Sequence, residues 1–236
     1  MNIETTNAPN TDEAAIGFIP CYRLPFLSLF HADCMVIMKQ YPDKYFSLAL
    51  VDPPYGIGIS GQKEVKKGKK SDRKLHKQKN WDNAIPSKEY FNELFRISKN
   101  QIIWGANYFV EHLTSGHKGW IVWDKMQHGL TMSDCELAYS SFDYPTRVWC
   151  KNRCVLKEQK TIHPTEKPTD LYDWILKNYT KPNDKILDTH FGSGSIALAV
   201  DKANRLDKMN LHLTACEIDK EYIDKAIKRI SESIKQ

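Results

Sequence analysis

Asp52-Pro53-Pro54-Tyr55 closes the apolar run Leu48-Ala49-Leu50-Val51 and combines an acid, two rigid backbone carbonyls and an aromatic ring. The two prolines remove backbone donors and fix φ, so the chain leaves a strand stiffly extended, with carbonyls that no ladder can use. The Asp52 carboxylate and the Pro53 carbonyl then accept both hydrogens of an exocyclic amine, while the ring of Tyr55 offers a planar base a face to stack on. The same tetrapeptide also serves simply as a proline-stiffened strand exit, so its meaning depends on what accompanies it.

Two further groups of residues accompany it. Ile186-Leu187-Asp188 leads into Phe191-Gly192-Ser193-Gly194-Ser195 and an apolar helix. Strand, small-residue turn and helix bring backbone close to a ligand and aim free N–H groups at it. An acid, Glu217, ends the next strand 23 residues past Gly194, where dinucleotide-type folds grip ribose hydroxyls. The full Gly-x-Gly-x-x-Gly is missing, so an adenosine-bearing cofactor without a pyrophosphate fits better than a dinucleotide. The third group, His163-Pro164-Thr165-Glu166-Lys167-Pro168, stands before a helical pattern that Thr165 is placed to cap.

The elements that must position these residues alternate. Strands are expected at Ser28–Asp33, Ser47–Asp52, Gln101–Trp104, Trp120–Asp124, Cys135–Ser140, Lys185–Asp188 and Leu211–Ile218. Helices are expected at Met35–Gln40, Ser87–Ser98, Lys167–Tyr179, Ser195–Ala203 and Glu221–Ile234. The order predicts an α/β fold, a mostly parallel twisted sheet covered on both faces, with ligands beyond the carboxyl ends of the strands. At 236 residues, 41% apolar and 27% charged, the chain reads as a single domain. It holds no run of roughly 20 apolar residues, and its first residues lack the pattern of a signal peptide, so a cytoplasmic protein without membrane contact is expected. The six cysteines contain no Cys-x-x-Cys, and neither a disulfide framework nor a metal site is expected.

The charge is unevenly spread. The chain carries +5, yet Lys63 to Lys79 alone holds eight lysines and Arg73 against Glu64 and Asp72, a net of +7, which leaves −2 for everything else. The stretch from about 60 to 82 reads as a long mobile basic loop, either a solvated insertion or a functional one.

The three motifs in this order resemble the amino-methylating DNA methyltransferases, in the circularly permuted β-group arrangement, over roughly Ser28 to Asp219. Ile103-Trp104-Gly105-Ala106-Asn107-Tyr108-Phe109 and Trp120-Ile121-Val122-Trp123-Asp124-Lys125 add to the likeness. The resemblance implies a Rossmann-like fold, S-adenosylmethionine as cofactor and DNA as substrate. It implies that Asp52, Pro53, Pro54 and Tyr55 hold the target amine of a flipped base for direct displacement. It implies further that Asp33, His163, Thr165, Lys167, Asp188, Phe191, Gly192, Gly194, Ser195 and Glu217 surround the cofactor. Members with Asp in the first place of the tetrapeptide mostly methylate adenine N6, those with Ser cytosine N4. Adenine N6 is therefore expected; cytosine N4, or an idle nucleic-acid-binding module on the same fold, are the alternatives. The family's usual Asp-Pro-Phe is here Asp188-Thr189-His190, which leaves open what replaces the phenylalanine; His190 is not needed as a base.

The basic loop follows Tyr55 closely and is expected at the mouth of the site, where Lys66, Lys67, Lys69, Lys70, Arg73 and Lys74 meet phosphates. Five such contacts would give log affinity a slope of about −4 to −5 against log salt. Base reading falls to a short segment, about 143 to 162, with Arg147 and Arg153 and the intervening Lys151 and Asn152 as candidates. So short a segment predicts a short recognition site, assisted by the loop or by a second subunit in a homodimer; a cognate restriction nuclease is a further partner the family leaves open.

Overall fold

The computed structural model describes residues 18–59, 79–113, 118–129, 133–152, 162–163 and 165–234. Nine strands form one sheet: β1 (Tyr22–Leu24), β2 (Leu27–His31), β3 (Phe46–Val51), β4 (Ser98–Trp104), β5 (Trp120–Asp124), β6 (Cys135–Ser140), β7 (Arg147–Cys150), β8 (Lys185–Asp188) and β9 (His212–Glu217). Their order is β1-β2-β9-β8-β3-β4-β6-β5-β7, with β1 and β6 reversed against otherwise parallel neighbours. The expected α/β architecture is therefore present.

The apolar runs explain the layers. Successive side chains on a strand point to opposite faces, so Leu48 and Leu50 of β3 enter one core while Ala49 and Val51 enter the other; Ile102 and Trp104 of β4 likewise alternate with Ile103. The first core is closed by α3 (Thr169–Tyr179), α4 (Ser195–Asp207) and α5 (Lys220–Ile234), the second by α1 (Cys34–Met38) and α2 (Lys88–Ile97). α5 shows how: Tyr222, Ile223, Ala226 and Ile230 recur at helical spacing and are buried, while Lys225 and Lys228 lie on the polar side. Strands covered on both faces lose their alternation of apolar and polar residues, hence the continuous run in β3.

Two strands escaped the sequence reading. Among the described residues β1 pairs only with β2, and β7 only with β5, in the register Ile121↔Arg147 to Asp124↔Cys150. Both are short edge strands, and β7 is mostly exposed, so neither carries an apolar signal. The helix expected from Lys167 starts instead at Thr169, with Pro168 in the N-cap position. Thr165 does not cap it: its N–H and hydroxyl engage Nδ1 of His163 at 3.3 and 3.1 Å. Among the described residues no helix is long and apolar enough to cross a membrane, and no three metal-ligating side chains converge.

The sheet reverses its winding between β8 and β3, so the crevice beyond their carboxyl ends lies between Asp188 and Asp52. In open α/β sheets this is where ligands bind. Because β6 runs backwards, its first residues come to the same edge as the last of β3, β4 and β5.

Candidate active site

Asp52 follows β3 directly, and two side chains meet on it, one from three positions on and one from a distant part of the chain. The Tyr55 hydroxyl donates to Oδ1 at 2.6 Å, and the Lys167 ammonium is ion-paired with Oδ2. Lys167 also reaches Glu136 Oε2 at 3.3 Å and the Tyr55 hydroxyl at 3.2 Å; Lys125 contacts Glu136 Oε1 at 2.9 Å. Asp52, Lys167, Glu136 and Lys125 thus alternate in sign, with the side chains of Lys167 and Lys125 only 2% and 8% exposed. Unpaired charges at such depth would be prohibitive; paired, they persist.

The ionisation equilibria follow from that packing. Burial pushes the Asp52 carboxyl up, with Lys167 pulling the other way. Burial alone would depress Lys167, but Asp52 and Glu136 outweigh it and hold the ammonium above its ordinary value. For Glu136 the two lysines outweigh burial and lower it. Tyr55 is pushed well up by burial and by Asp52, so its hydroxyl stays a donor.

The chain after β3 is fastened by Asp82, 3% exposed, whose Oδ1 accepts the N–H groups of Tyr55 and Gly56 at 2.8 and 2.9 Å and whose Oδ2 accepts that of Ile59 at 2.7 Å. The Tyr55 ring is not bare. Tyr108 stacks on it at 5.2 Å between centroids and 16° between planes, and Gly105 lies so close that a Cβ there would fall 2.0 Å from Cε1. Gly105 also holds φ +70°, a second reason for glycine.

On the other side of the crevice Glu217 ends β9 and accepts the N–H of Gly192 at 2.9 Å through Oε2 and that of Asp219 at 2.9 Å through Oε1. Each oxygen keeps a lone pair, which suits two adjacent hydroxyl donors. Gly194 turns at φ +72°, and a Cβ there would meet Ile230 and Phe191 at 3.2 Å. The Phe191 ring is 3% exposed and packs in the core beside Gly194. His163 lies 3.8 Å from where a Gly192 Cβ would be and packs on Tyr222. Arg229 of α5 ties this turn together, donating to Ser193 O and Ser195 Oγ at 3.2 and 3.1 Å and pairing with Glu166 at 2.9 Å.

Asp188 is 3% exposed; burial, with repulsion from Asp52 and Glu217, pushes its carboxyl up to about 7 although the His190 N–H opposes this. Burial lowers His190 to about 4, so the ring is neutral at ordinary pH. Its Nδ1 lies 2.9 Å from the Thr189 hydroxyl, which Tyr90 meets at 2.7 Å. Asp33 caps α1 by accepting the Met35 N–H at 2.7 Å and is exposed at the end of β2.

Most of the expected residues that are described therefore lie at one edge of the sheet. Lys167 is there too, ion-paired with Asp52, whereas Arg147 opens β7 at the opposite edge of the sheet. Lys66, Lys67, Lys69, Lys70, Arg73, Lys74 and Arg153 lie outside the described residues. Lys79, the last cation of the basic stretch, is engaged within the protein, against Asp219 at 2.5 Å and Glu221 at 3.0 Å. Sequence reasoning missed Glu136, Asp82 and Arg229, which no motif marks because each acts through a partner elsewhere in the chain, and gave Lys125, the last residue of a quoted strand segment, no role.

The crevice beyond β8 and β3 thus gathers Asp52, Asp188 and Glu217 beside the Gly192–Ser195 turn, in a fold whose structural matches are S-adenosylmethionine-dependent DNA methyltransferases. Residues 122–228 match the family model described as DNA methylase, and the chain is similar to N6/N4 amino-methylating DNA methyltransferases. It is 26% identical over 254 aligned residues to the Type II methyltransferase M.HinfI of Haemophilus influenzae, covering 87% of this chain and 68% of that one. To the Type II methyltransferase M.BglII of Bacillus subtilis it is 36% identical over 88 residues, 37% of this chain and 23% of the other. Among solved structures, the M1.HpyAVI–SAM complex matches with a TM-score of 0.54 at 20% identity, covering 86% and 98% of the two chains. The cytosine-N4-specific PvuII DNA methyltransferase matches at 0.58 and 12%, covering 93% of this chain and 95% of that one.

Proposed function

We propose that this protein methylates the exocyclic N6 of an adenine flipped out of duplex DNA, and that the chain works as one methyltransferase domain. The observation that carries this is Asp52: a carboxylate, not a serine hydroxyl, at the carboxyl end of β3, oriented on both oxygens by Tyr55 and Lys167. S-adenosylmethionine, when bound, supplies an electrophilic sulfonium methyl.

The remaining work belongs to the chain. Asp52 and the Pro53 carbonyl accept the amine hydrogens, which turns the nitrogen lone pair out of conjugation with the ring. As the nitrogen gains positive charge these acceptors strengthen their hold, the differential binding that accelerates a reaction. Asp52 is also the first acceptor for the proton the nitrogen must then lose. Extruding the base costs a few kcal/mol; stacking on the Tyr55 and Tyr108 pair, worth about 1–3 kcal/mol per base, offsets much of it.

Glu217 takes the ribose hydroxyls, Asp33 the adenine amine of the cofactor, and the Gly192–Ser195 turn with His163 and Thr165 its methionine end. Lysines 66, 67, 69, 70 and 74 and Arg73 supply phosphate contacts. The test is nucleoside analysis of DNA from a methylation-deficient host expressing the protein, beside an Asp52→Ala control. N6-methyladenine absent from the control is expected; N4-methylcytosine in its place, or no modified base, overturns the reading.

A further inference from the structure

We propose that Glu136 is a positioning residue for methyl transfer: with Lys125 it holds the Lys167 ammonium on Asp52 and thereby keeps that carboxylate ionised and aimed. The inference rests on reading Asp52 as the acceptor of the target amine.

The geometry points to this in three steps. Glu136 is the second residue of the reversed strand β6, which brings it to the active edge from a part of the chain with no sequence motif. Its two oxygens face different lysines, Oε1 to Lys125 at 2.9 Å and Oε2 to Lys167 at 3.3 Å, so it bridges the end of β5 to the segment before α3. Lys167 in turn has three ammonium donors and three oxygens around it: Asp52 Oδ2, Glu136 Oε2 and the Tyr55 hydroxyl, with the Trp104 ring 5.1 Å away. An ammonium whose donors are all engaged cannot turn. Removing Glu136 leaves it two partners and freedom to leave Asp52.

Charge leads to the same place. A lone buried Asp–Lys pair can collapse to a neutral pair by passing its proton from nitrogen to oxygen, because a dry site penalises both charges. A protonated Asp52 presents a hydroxyl to the amine and loses the acceptor it needs. A second carboxylate on the ammonium opposes that transfer, and Lys125 balances the carboxylate. Glu136 also repels Asp52 directly, but Lys167 touches Asp52 and stands between the two acids, so the restraint outweighs the repulsion.

The two effects have opposite signs in a pH profile, which makes them separable. The groups facing Asp52 are Lys167, Tyr55 and Glu136, with Asp188 and Tyr172 beyond them. If Glu136 acted only as a nearby negative charge, Glu136→Gln would make Asp52 easier to ionise and move the acid limb of kcat to lower pH. If it restrains Lys167, the acid limb moves to higher pH.

The experiment follows transfer of tritiated methyl from S-adenosylmethionine to unmethylated bacterial DNA, for wild type, Glu136→Gln and the charge-balanced Lys125→Met/Glu136→Gln. The double variant leaves no unpaired lysine in the site and serves should the single one fail to fold. The expected result is a kcat lowered about 10- to 100-fold, the loss typical of a misplaced catalytic group, with the acid limb shifted up and cofactor affinity by calorimetry changed less than twofold. An unchanged kcat, or an acid limb that stays or moves down, overturns the proposal. Wild-type protein that transfers no methyl to DNA overturns the functional reading instead, so the two failures are distinct.

Discussion

The ammonium of Lys167 is ion-paired with the carboxylate of Asp52, although 115 positions separate them and the lysine belongs to a motif read as part of the cofactor site. The pair decides how Asp52 ionises. Lys167→Met leaves a carboxylate that burial already pushes upward without its main opposing charge. Its acid limb in kcat is expected to move to higher pH, and kcat near neutrality to fall about 10²- to 10³-fold, as when one donor in a preorganised electrostatic site is lost. Lys167→Arg, which keeps the charge, is expected to retain the wild-type limb. Steady-state kinetics across pH 5 to 9 measure both.

Asp82 makes a second prediction. Its carboxylate accepts three N–H groups from the chain that carries Tyr55, two on one oxygen and one on the other. Asp82→Asn keeps one acceptor oxygen and turns an amide donor toward an N–H. At least one buried donor is left unsatisfied, at about 1–3 kcal/mol. Thermal unfolding should register that loss, and kcat should fall with it because Tyr55 is no longer fixed over Asp52.

Two glycines with nearly the same backbone separate strain from contact. Gly105 and Gly58 have φ of +70° and +72°, but a Cβ at Gly105 would meet the Tyr55 ring at 2.0 Å, while one at Gly58 meets nothing within 4 Å. Gly58→Ala is expected to cost only the roughly 1–2 kcal/mol of a left-handed alanine and to retain activity. Gly105→Ala pays the same conformational penalty and must also displace Tyr55, so methyl transfer should be lost beyond what its stability explains. Parallel unfolding and activity measurements on the two variants check this.

What could be read in advance was whatever is written locally. Asp52, Gly192, Gly194 and Glu217 sit at strand ends announced by apolar runs and small-residue turns, and the crevice between β3 and β8 follows from the order of those runs. The charge network was not legible, because Glu136 meets Lys125 and Lys167 only after β6 reverses and the chain before α3 folds back. Asp82 was hidden for the same reason: its partners lie more than 20 positions earlier. For Phe191 the sequence does not show how its ring packs, because a phenylalanine beside glycines suits a ligand wall and a core equally well until Ile230 and Gly194 are seen around it. Nor does net charge show which cations are already paired: Lys79 is engaged by Asp219 and Glu221.

Asp188 links the site to stability. Its folded carboxyl is pushed up to about 7, chiefly by burial, against an ordinary value of 3.8. Between those values the folded state binds a proton that the unfolded state has released, so stability falls as pH rises through this window. The contribution of this one group, by the conversion of about 1.4 kcal/mol per pKa unit, is on the order of 4 kcal/mol across the whole window. Asp188→Asn removes the titration and keeps the shape. The difference in unfolding free energy between wild type and variant, measured without cofactor by urea denaturation, should move in favour of the variant from pH 4 to pH 8. A difference independent of pH would show that Asp188 is ionised at the lower end of this range and that its burial does not govern its charge. Added S-adenosylmethionine, a cation at the sulfonium, should lower the Asp188 carboxyl and reduce the pH dependence of wild type while leaving that of Asp188→Asn in place.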